Sequence, residues 1–338
     1  MLRFAAVRLG SAIGVLLVLS LVVFVLARVI PSNPAAVYAG TRARPEELAR
    51  VREQLGLDDP LPLQYLDYLG GLITGQWGNS LATKRPVLDE LAARLPATLE
   101  LLGTAMLLAL VVGVVLGVVA ARKPGGALDG VVRFLSIGGV SMPHFWLGLL
   151  LQVLVVGGLG LLPATGQFSR EIDYTSPITA VTGFAMLDAL ITGNLTAWVD
   201  GLQHLVLPAV TLAAYPTGLI ARMTRASMLE VLSQDYIFTA NAYGLRDGLI
   251  RWRLALKNAL PPTMTIVGLA AAYGLTSTFF VEVVFNWPGI GQFATNAMLA
   301  VDYPSIMAIT MLGAAAYLLA NFVVDVVQAK LDPRVAIA

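Results

Sequence analysis

The chain has 338 residues, of which 57% are hydrophobic and 13% charged, and its 22 lysines and arginines nearly balance 21 acids to leave a net charge of +1. A soluble globular domain is nearer half apolar and a quarter charged, so a membrane protein is indicated, and this charge gives no support for nucleic-acid binding. Cysteine is absent and there are only two histidines, His144 and His204, which excludes disulfides, a thiol nucleophile and cysteine metal sites, and leaves no histidine metal site unless carboxylates complete it.

The apolar residues fall in blocks of the roughly 20 residues that a bilayer span needs. Six spans are expected, at residues 10–29, 97–121, 134–159, 205–220, 264–284 and 305–327. Arg3 and Arg8 precede the first. Its apolar core is too long for a signal peptide and Arg28-Val29-Ile30-Pro31 is a poor cleavage site, so it reads as a retained helix. Residues 31–96 then form an extracytoplasmic insert. Within it, 45–57 reads as a helix with proline in its first turn, Glu46 and Glu47 behind it, and a stripe of Leu48, Val51 and Leu55. A second helix is expected over 63–73, ended by glycines, and a third over 86–95, leading into the second span. The turn-rich link Gly75-Gln76-Trp77-Gly78-Asn79-Ser80-Leu81 joins them. Two readings of the insert stand: a packed cap, or a docking surface for an external partner.

Residues 178–192 are apolar but short and carry Asp188, so they read as an external or interfacial helix, not a seventh span. Within the cytoplasmic loop 223–262, residues 234–262 are polar and basic. Tyr236–Tyr243 suits a helix, Gly244 breaks it, Leu249–Leu256 resumes it, and Asn258-Ala259-Leu260-Pro261-Pro262 stops it at the membrane surface. This bent rod either transmits force or rests on lipid headgroups through its arginines. Basic residues set the orientation. With the N-terminus inside, the short inner loops hold Arg122, Lys123, Arg133, Arg222, Arg225, Arg246, Arg251, Arg253 and Lys257, and the short outer ones almost none. Both termini are then cytoplasmic. The organisation is an N-terminal transmembrane helix (1–30), the insert (31–96), a core transmembrane domain (97–327) holding the cytoplasmic loop 223–262, and a cytoplasmic tail (328–338).

Among single residues, Glu282 near the outer end of span five is a candidate contact for a substrate ammonium, or a structural hydrogen bond at the helix end. Trp287, in Trp287-Pro288-Gly289, is either part of a turn returning to a pathway or an interfacial anchor. Glu100 reads as a helix-start acid, His144 as a packed residue beside a proline bend, and Gly113 with Gly117 as a close-packing pair. Ser141 and His144 form the nearest serine–histidine pair, the one hint of an intramembrane protease.

The chain resembles the permeases of ATP-binding-cassette importers, in the dipeptide/oligopeptide/nickel branch. The resemblance is carried by Asp235-Tyr236, Thr239-Ala240, Gly244-Leu245 and Asn258-Ala259-Leu260-x-Pro262 in the loop. Outside it lie Arg28–Pro34, Leu55-Gly56-Leu57-Asp58, Gly78-Asn79-Ser80-Leu81, Leu95–Glu100, Ser141–Gly148, Leu205–Ala209 and Arg222–Met228. Toward the end come Glu282, Trp287–Gly291, Asp302-Tyr303-Pro304 and Asp332-Pro333-Arg334. Asn241 and Tyr243 depart from it, standing where basic residues are usual, as does Leu254 where histidine is common.

The resemblance implies an all-α polytopic membrane protein of six transmembrane helices with the type I importer permease fold, the first of the family's two permeases. It implies a non-catalytic subunit of an ATP-driven importer for di- or oligopeptides, with nickel or glutathione as alternative cargo, in the cytoplasmic membrane of a prokaryote. The implied partners are a second homologous permease, two cytosolic ATPases, an extracytoplasmic substrate-binding protein and membrane lipid. ATPase coupling is assigned to Asp235, Tyr236, Thr239, Ala240, Gly244, Leu245, Asn258 and Pro262, and the pathway to Glu282 and Trp287. No cofactor or metal is bound directly. The sequence has no GxxxxGK[ST] loop, so ATP and magnesium belong to partner chains. A carrier without a motor is the remaining alternative.

Overall fold

A computed structural model of the chain describes residues 2–28, 34–40, 43–54 and 56–331. Most of the Arg28–Pro34 motif, Leu55, Asp332-Pro333-Arg334 and the tail beyond Leu331 lie outside the described residues. In chain order the helices are α1 (Leu2–Arg28), α2 (Pro34–Ala39), α3 (Pro45–Gln54), α4 (Leu61–Thr74), α5 (Val87–Ala120), α6 (Ala127–Ser141), α7 (His144–Leu151), α8 (Arg170–Thr175), α9 (Ala185–Ile191), α10 (Leu195–Leu232), α11 (Asp235–Ala242), α12 (Asp247–Leu249), α13 (Leu256–Val284), α14 (Ile290–Leu299) and α15 (Tyr303–Leu331). Wider π-helical turns at Gln152–Gly158 and Ile250–Ala255 continue α7 and join α12 to α13. Among the described residues the fold is all-α, with a single isolated β-bridge between Asn79 and Pro86.

Among the described residues, five helical runs are long and apolar enough to cross a bilayer: Ala6–Arg28, α5, α10, Asp247–Val284 and Tyr303–Val326. A sixth span is the pair Ala127–Ser141 and His144–Gly158, bent by 112°. The chain is thus a multi-pass membrane protein. The span expected over 134–159 is found as this broken pair, which begins earlier, at Ala127. Pro143 lacks an N–H and drives Met142 out of the helical region, to φ −88 and ψ 130. The segment 178–192 contains only the seven-residue α9, too short to span. Its Asp188 carboxylate is buried and accepts hydrogen bonds from the backbone N–H groups of Val181, Thr182 and Gly183 at 2.8–3.1 Å and from Thr182 Oγ1 at 2.6 Å. These bonds, the Thr182 hydroxyl foremost, hold its carboxyl below the usual range.

The chain divides into two compact units, residues 1–95 with 292–318, and 96–291 with 319–338. In the first, α1 is apolar all round and its Ser20, Val23, Phe24 and Ala27 form a buried stripe at helical spacing. Tyr65 and Tyr68 of α4 lie against Phe24 at ring-centroid distances of 5.4 and 6.0 Å. Ser20 Oγ and Tyr65 Oη share a hydrogen bond of 2.8 Å. Helix α4 ends at Gly75, whose φ of 79 needs glycine. Beyond it the Gly78–Leu81 turn reaches Asp302. Asp302 Oδ2 accepts from Ser80 Oγ at 2.5 Å and from Ser305 Oγ at 2.8 Å, all three residues being buried. Two motifs far apart in sequence are thereby one structural unit.

In the second unit, helices approach closely through glycines. A Cβ on Gly117 would lie 2.7 Å from the Ala221 carbonyl oxygen and against Thr224, and one on Gly113 would lie 2.7 Å from Ile220. Gly139 and Gly218 play the same part between α6 and α10. Those two helices are also joined by Arg225, whose Nε and Nη2 donate to the buried Asp129 carboxylate at 2.5 and 2.9 Å. This bidentate geometry is among the stronger forms of an ion pair.

Gly117→Ala should lower stability by about 1–3 kcal/mol through overpacking. Gly103→Ala, on the same helix with nothing within 4 Å of the added carbon, should not. Thermal unfolding of the purified variants compares them. Burial alone would raise the Asp302 carboxyl, but hydrogen bonds from Ser80, the Leu81 backbone and Ser305 outweigh it and hold it below the usual range. Its stabilisation is therefore complete at neutral pH and is lost below the ordinary value of about 3.9 as the pH falls through the lower folded value. Asp302→Asn should be less stable at pH 7 and should lose less on acidification, read as unfolding midpoint against pH.

Candidate functional site

The candidate site is the connection between α10 and α13. Helix α10 carries 38 residues, about 57 Å of rise against a hydrocarbon core of about 30 Å, so it extends beyond the bilayer. Ser233 ends it, and α11 follows with Asp235 in its first turn, where an acid suits the positive helix end. Ile237 and Ala240 are buried against Val118, Ala121, Met228, Ile250, Ala255 and Ala259. Burying an isoleucine side chain contributes about 1.5–3 kcal/mol, enough to fix a two-turn helix in place.

Gly244, with φ 73, turns the chain after α11, and the N–H groups of Gly244 and Leu245 bond to the carbonyls of Asn241 and Ala240 at 2.9 and 3.2 Å. From Asp247 the chain is helical without interruption to Val284. The stop expected at Pro261-Pro262 is therefore corrected. Both prolines lie inside α13 and are exposed, while Ala255, Ala259 and Thr263 are buried one turn apart. Packing along that stripe overrides a weak local preference. Asn258 Nδ2 donates to Tyr236 Oη at 2.8 Å and ties α11 to α13.

The expected coupling residues are brought together but divide into two groups. Asp235, Tyr236, Thr239, Gly244, Leu245, Asn258 and Pro262 are exposed, whereas Ala240 is buried and belongs to the anchor beneath the surface. Phe238 and Tyr243 are also exposed, at 77% and 83%, and so are Leu249 and Trp252. The sequence reading missed Phe238 and Trp252 as surface residues and noted Tyr243 only as a departure. The alternation of buried Ile237 and Ala240 with exposed Tyr236, Phe238 and Thr239 was the available signal.

Glu282 and Trp287 do not face open space. Both are 0% exposed. Thr98 Oγ1 donates to Glu282 Oε1 at 2.7 Å and the Gly291 N–H to Oε2 at 2.6 Å, while Ile290 N–H donates to Thr98 Oγ1 at 2.9 Å. Trp287 Nε1 donates to the Ala97 carbonyl at 2.8 Å. Glycine is required at 289 and 291 because a Cβ at either position would strike the Glu282 carboxylate. Of the two readings of Glu282, the structural hydrogen bond at the helix end fits these contacts, and with Trp287 it forms a clamp joining the start of the Ala97 segment, the end of α13 and the following turn. Glu100, too, accepts from Met186 N–H at 2.9 Å and Gln167 Nε2 at 2.8 Å. His144, in contrast, is only partly buried and meets Tyr215 and Tyr273 at 6.1 and 6.3 Å between ring centroids, a grouping the sequence did not reveal.

Residues 113–337 match the family described as binding-protein-dependent transport system inner membrane component, and residues 1–102 match its N-terminal counterpart. Among curated relatives, a "Probable D,D-dipeptide transport system permease protein" of Escherichia coli is 44% identical over 93% of this chain and 92% of its own length. A di/tripeptide transport system permease protein of Pseudomonas aeruginosa is 41% identical over 99% of both chains. A glutathione transport system permease protein of Salmonella choleraesuis is 34% identical over 99% of both.

The clamp gives a direct test. Thr98→Val keeps shape but leaves Glu282 Oε1 without its Thr98 donor and the Ile290 N–H without its acceptor. A loss of about 1–3 kcal/mol per orphaned group is expected, with Thr98→Ser close to wild type, read by denaturant unfolding.

Proposed function

The chain belongs to the binding-protein-dependent transport system inner membrane components, and on that premise we propose that it is a permease subunit of an ATP-driven importer of di- or oligopeptides. It pairs with a second homologous permease to enclose the pathway. An extracytoplasmic binding protein delivers the substrate, and two cytosolic ATPases supply the work. Both termini and the α11–α12 connection lie on the cytoplasmic side, as the distribution of arginine and lysine favours.

The observation that carries the reading is the exposed aromatic face of α11 and its turn above a buried anchor. A receiving groove on an ATPase would cover Tyr236, Phe238, Thr239, Tyr243 and Leu245. Ile237 and Ala240 would pass the displacement to α10 and α13, because a packed core moves as a body. ATP favours a closed ATPase pair, which draws the two coupling elements together and turns the pathway outward; hydrolysis releases them. ATP and magnesium act on the partner chains. Inside the bilayer, the partly exposed His144, Tyr215 and Tyr273 fit a pathway wall better than the sealed Glu282 and Trp287. The names of the relatives favour peptide over glutathione as cargo, with nickel a further alternative.

Phe238→Ala with Tyr243→Ala changes only exposed side chains. In the reconstituted complex it should weaken ATPase docking by about 2 kcal/mol or more, as interface hot spots do, and abolish ATP-driven uptake of labelled dipeptide while the permease pair still assembles. Unchanged uptake and ATPase co-purification would overturn the coupling role. Uptake of peptide without any ATPase would identify a carrier, and uptake of glutathione or nickel in place of peptide would reassign the cargo.

A further inference from the structure

We propose that α4 of the insert is an interfacial membrane helix, seated in the leaflet at the Arg28 end of α1 with one face on lipid acyl chains. Helix α1 must use its whole apolar length, Ala6–Arg28, to cross a hydrocarbon core of about 30 Å. Tyr65 of α4 touches it well inside that length. Its hydroxyl bonds with Ser20 Oγ at 2.8 Å and with the Leu17 carbonyl at 3.2 Å. These positions lie about 12 and 16 Å below Arg28 along the helix axis. Tyr68 packs with Val23 and Ala27 nearer the end. A helix whose tyrosine reaches that depth cannot stand clear of the bilayer.

The faces of α4 agree with that placement. Pro62, Leu66, Leu69 and Ile73 recur at i, i+4, i+7 and i+11 and make an apolar stripe, with Leu66 60% and Ile73 86% exposed. The opposite side, with Gln64, Asp67 and Gly71, lines a cavity of about 520 Å³ shared with Arg28, Asn79 and Lys84. The single charge of the helix thus has a polar surrounding and its apolar stripe has none. This division is the pattern of a helix lying at a membrane surface. On α1, Val18, Leu21, Val22 and Val25 are likewise apolar and exposed. The proposal does not depend on the transport reading.

The absence of cysteine makes the test clean. Single cysteines at Leu66 and Ile73, with Val18→Cys as the lipid reference and Glu46→Cys as the aqueous one, are spin-labelled in the assembled complex in phospholipid nanodiscs. The ratio of collisions with oxygen to collisions with a water-soluble nickel chelate is measured at each. Leu66→Cys and Ile73→Cys should match Val18→Cys and exceed Glu46→Cys several-fold. A ratio equal to that at Glu46→Cys would overturn the proposal by placing the stripe in water. Exclusion of both reagents would overturn it by placing a protein partner there.

Discussion

The contact of Ile237 and Ala240 with Val118, Met228, Ala255 and Ala259 is the constraint on which the mechanical reading rests. A surface helix of two turns has little stability of its own, since nucleation is costly and few hydrogen bonds repay it. Here it is held by apolar burial below, by the Tyr236–Asn258 bond at one side and by the Gly244 turn at its end. Because these attachments reach both α10 and α13, a displacement of α11 cannot be absorbed by α11 alone.

Buried carboxylates serve a second, quieter role. Glu282, Asp302, Asp188 and Asp129 are each nearly or fully removed from solvent, and each accepts from several donors. A carboxylate has room for about four such bonds, so a single acid can gather a turn, a helix end and a distant loop. Uncompensated burial would be costly. The donors named here are mostly backbone N–H groups and hydroxyls, and Asp129 takes an arginine. In a chain so poor in charge, acids have been placed where they organise backbone.

Much of the fold was legible because hydrophobic length and basic residues are strong signals. The helical insert, the approximate span positions and the glycine break at 244 all follow from local chemistry. What stayed hidden depended on tertiary contacts. Pro261 and Pro262 read as a stop, yet the Ala255–Ala259–Thr263 stripe carries the helix through them. Pro143 read as a bend, and it separates two limbs by 112°, an angle the local sequence does not give. Glu282 and Trp287 each carried two readings, a pathway contact or a structural role, because membrane acids and tryptophans serve as either. Their sealing depends on Thr98 and Ala97, nearly two hundred positions earlier, and no periodicity reports that pairing. Ala240 was read with the exposed coupling residues, but which side of a short helix faces inward is set by its neighbours.

Ser20 carries an implication for biosynthesis. The first helix leaves the ribosome well before α4 exists, and its C-terminal half must reside in lipid uncovered for that interval. A lone hydroxyl there would be a liability, but Ser20 Oγ also bonds to the Leu17 carbonyl one turn back at 2.8 Å. The helix is thus self-sufficient at first, and Tyr65 later joins a group that is already satisfied. Insertion of the first segment need not wait for the partner that finally packs on it.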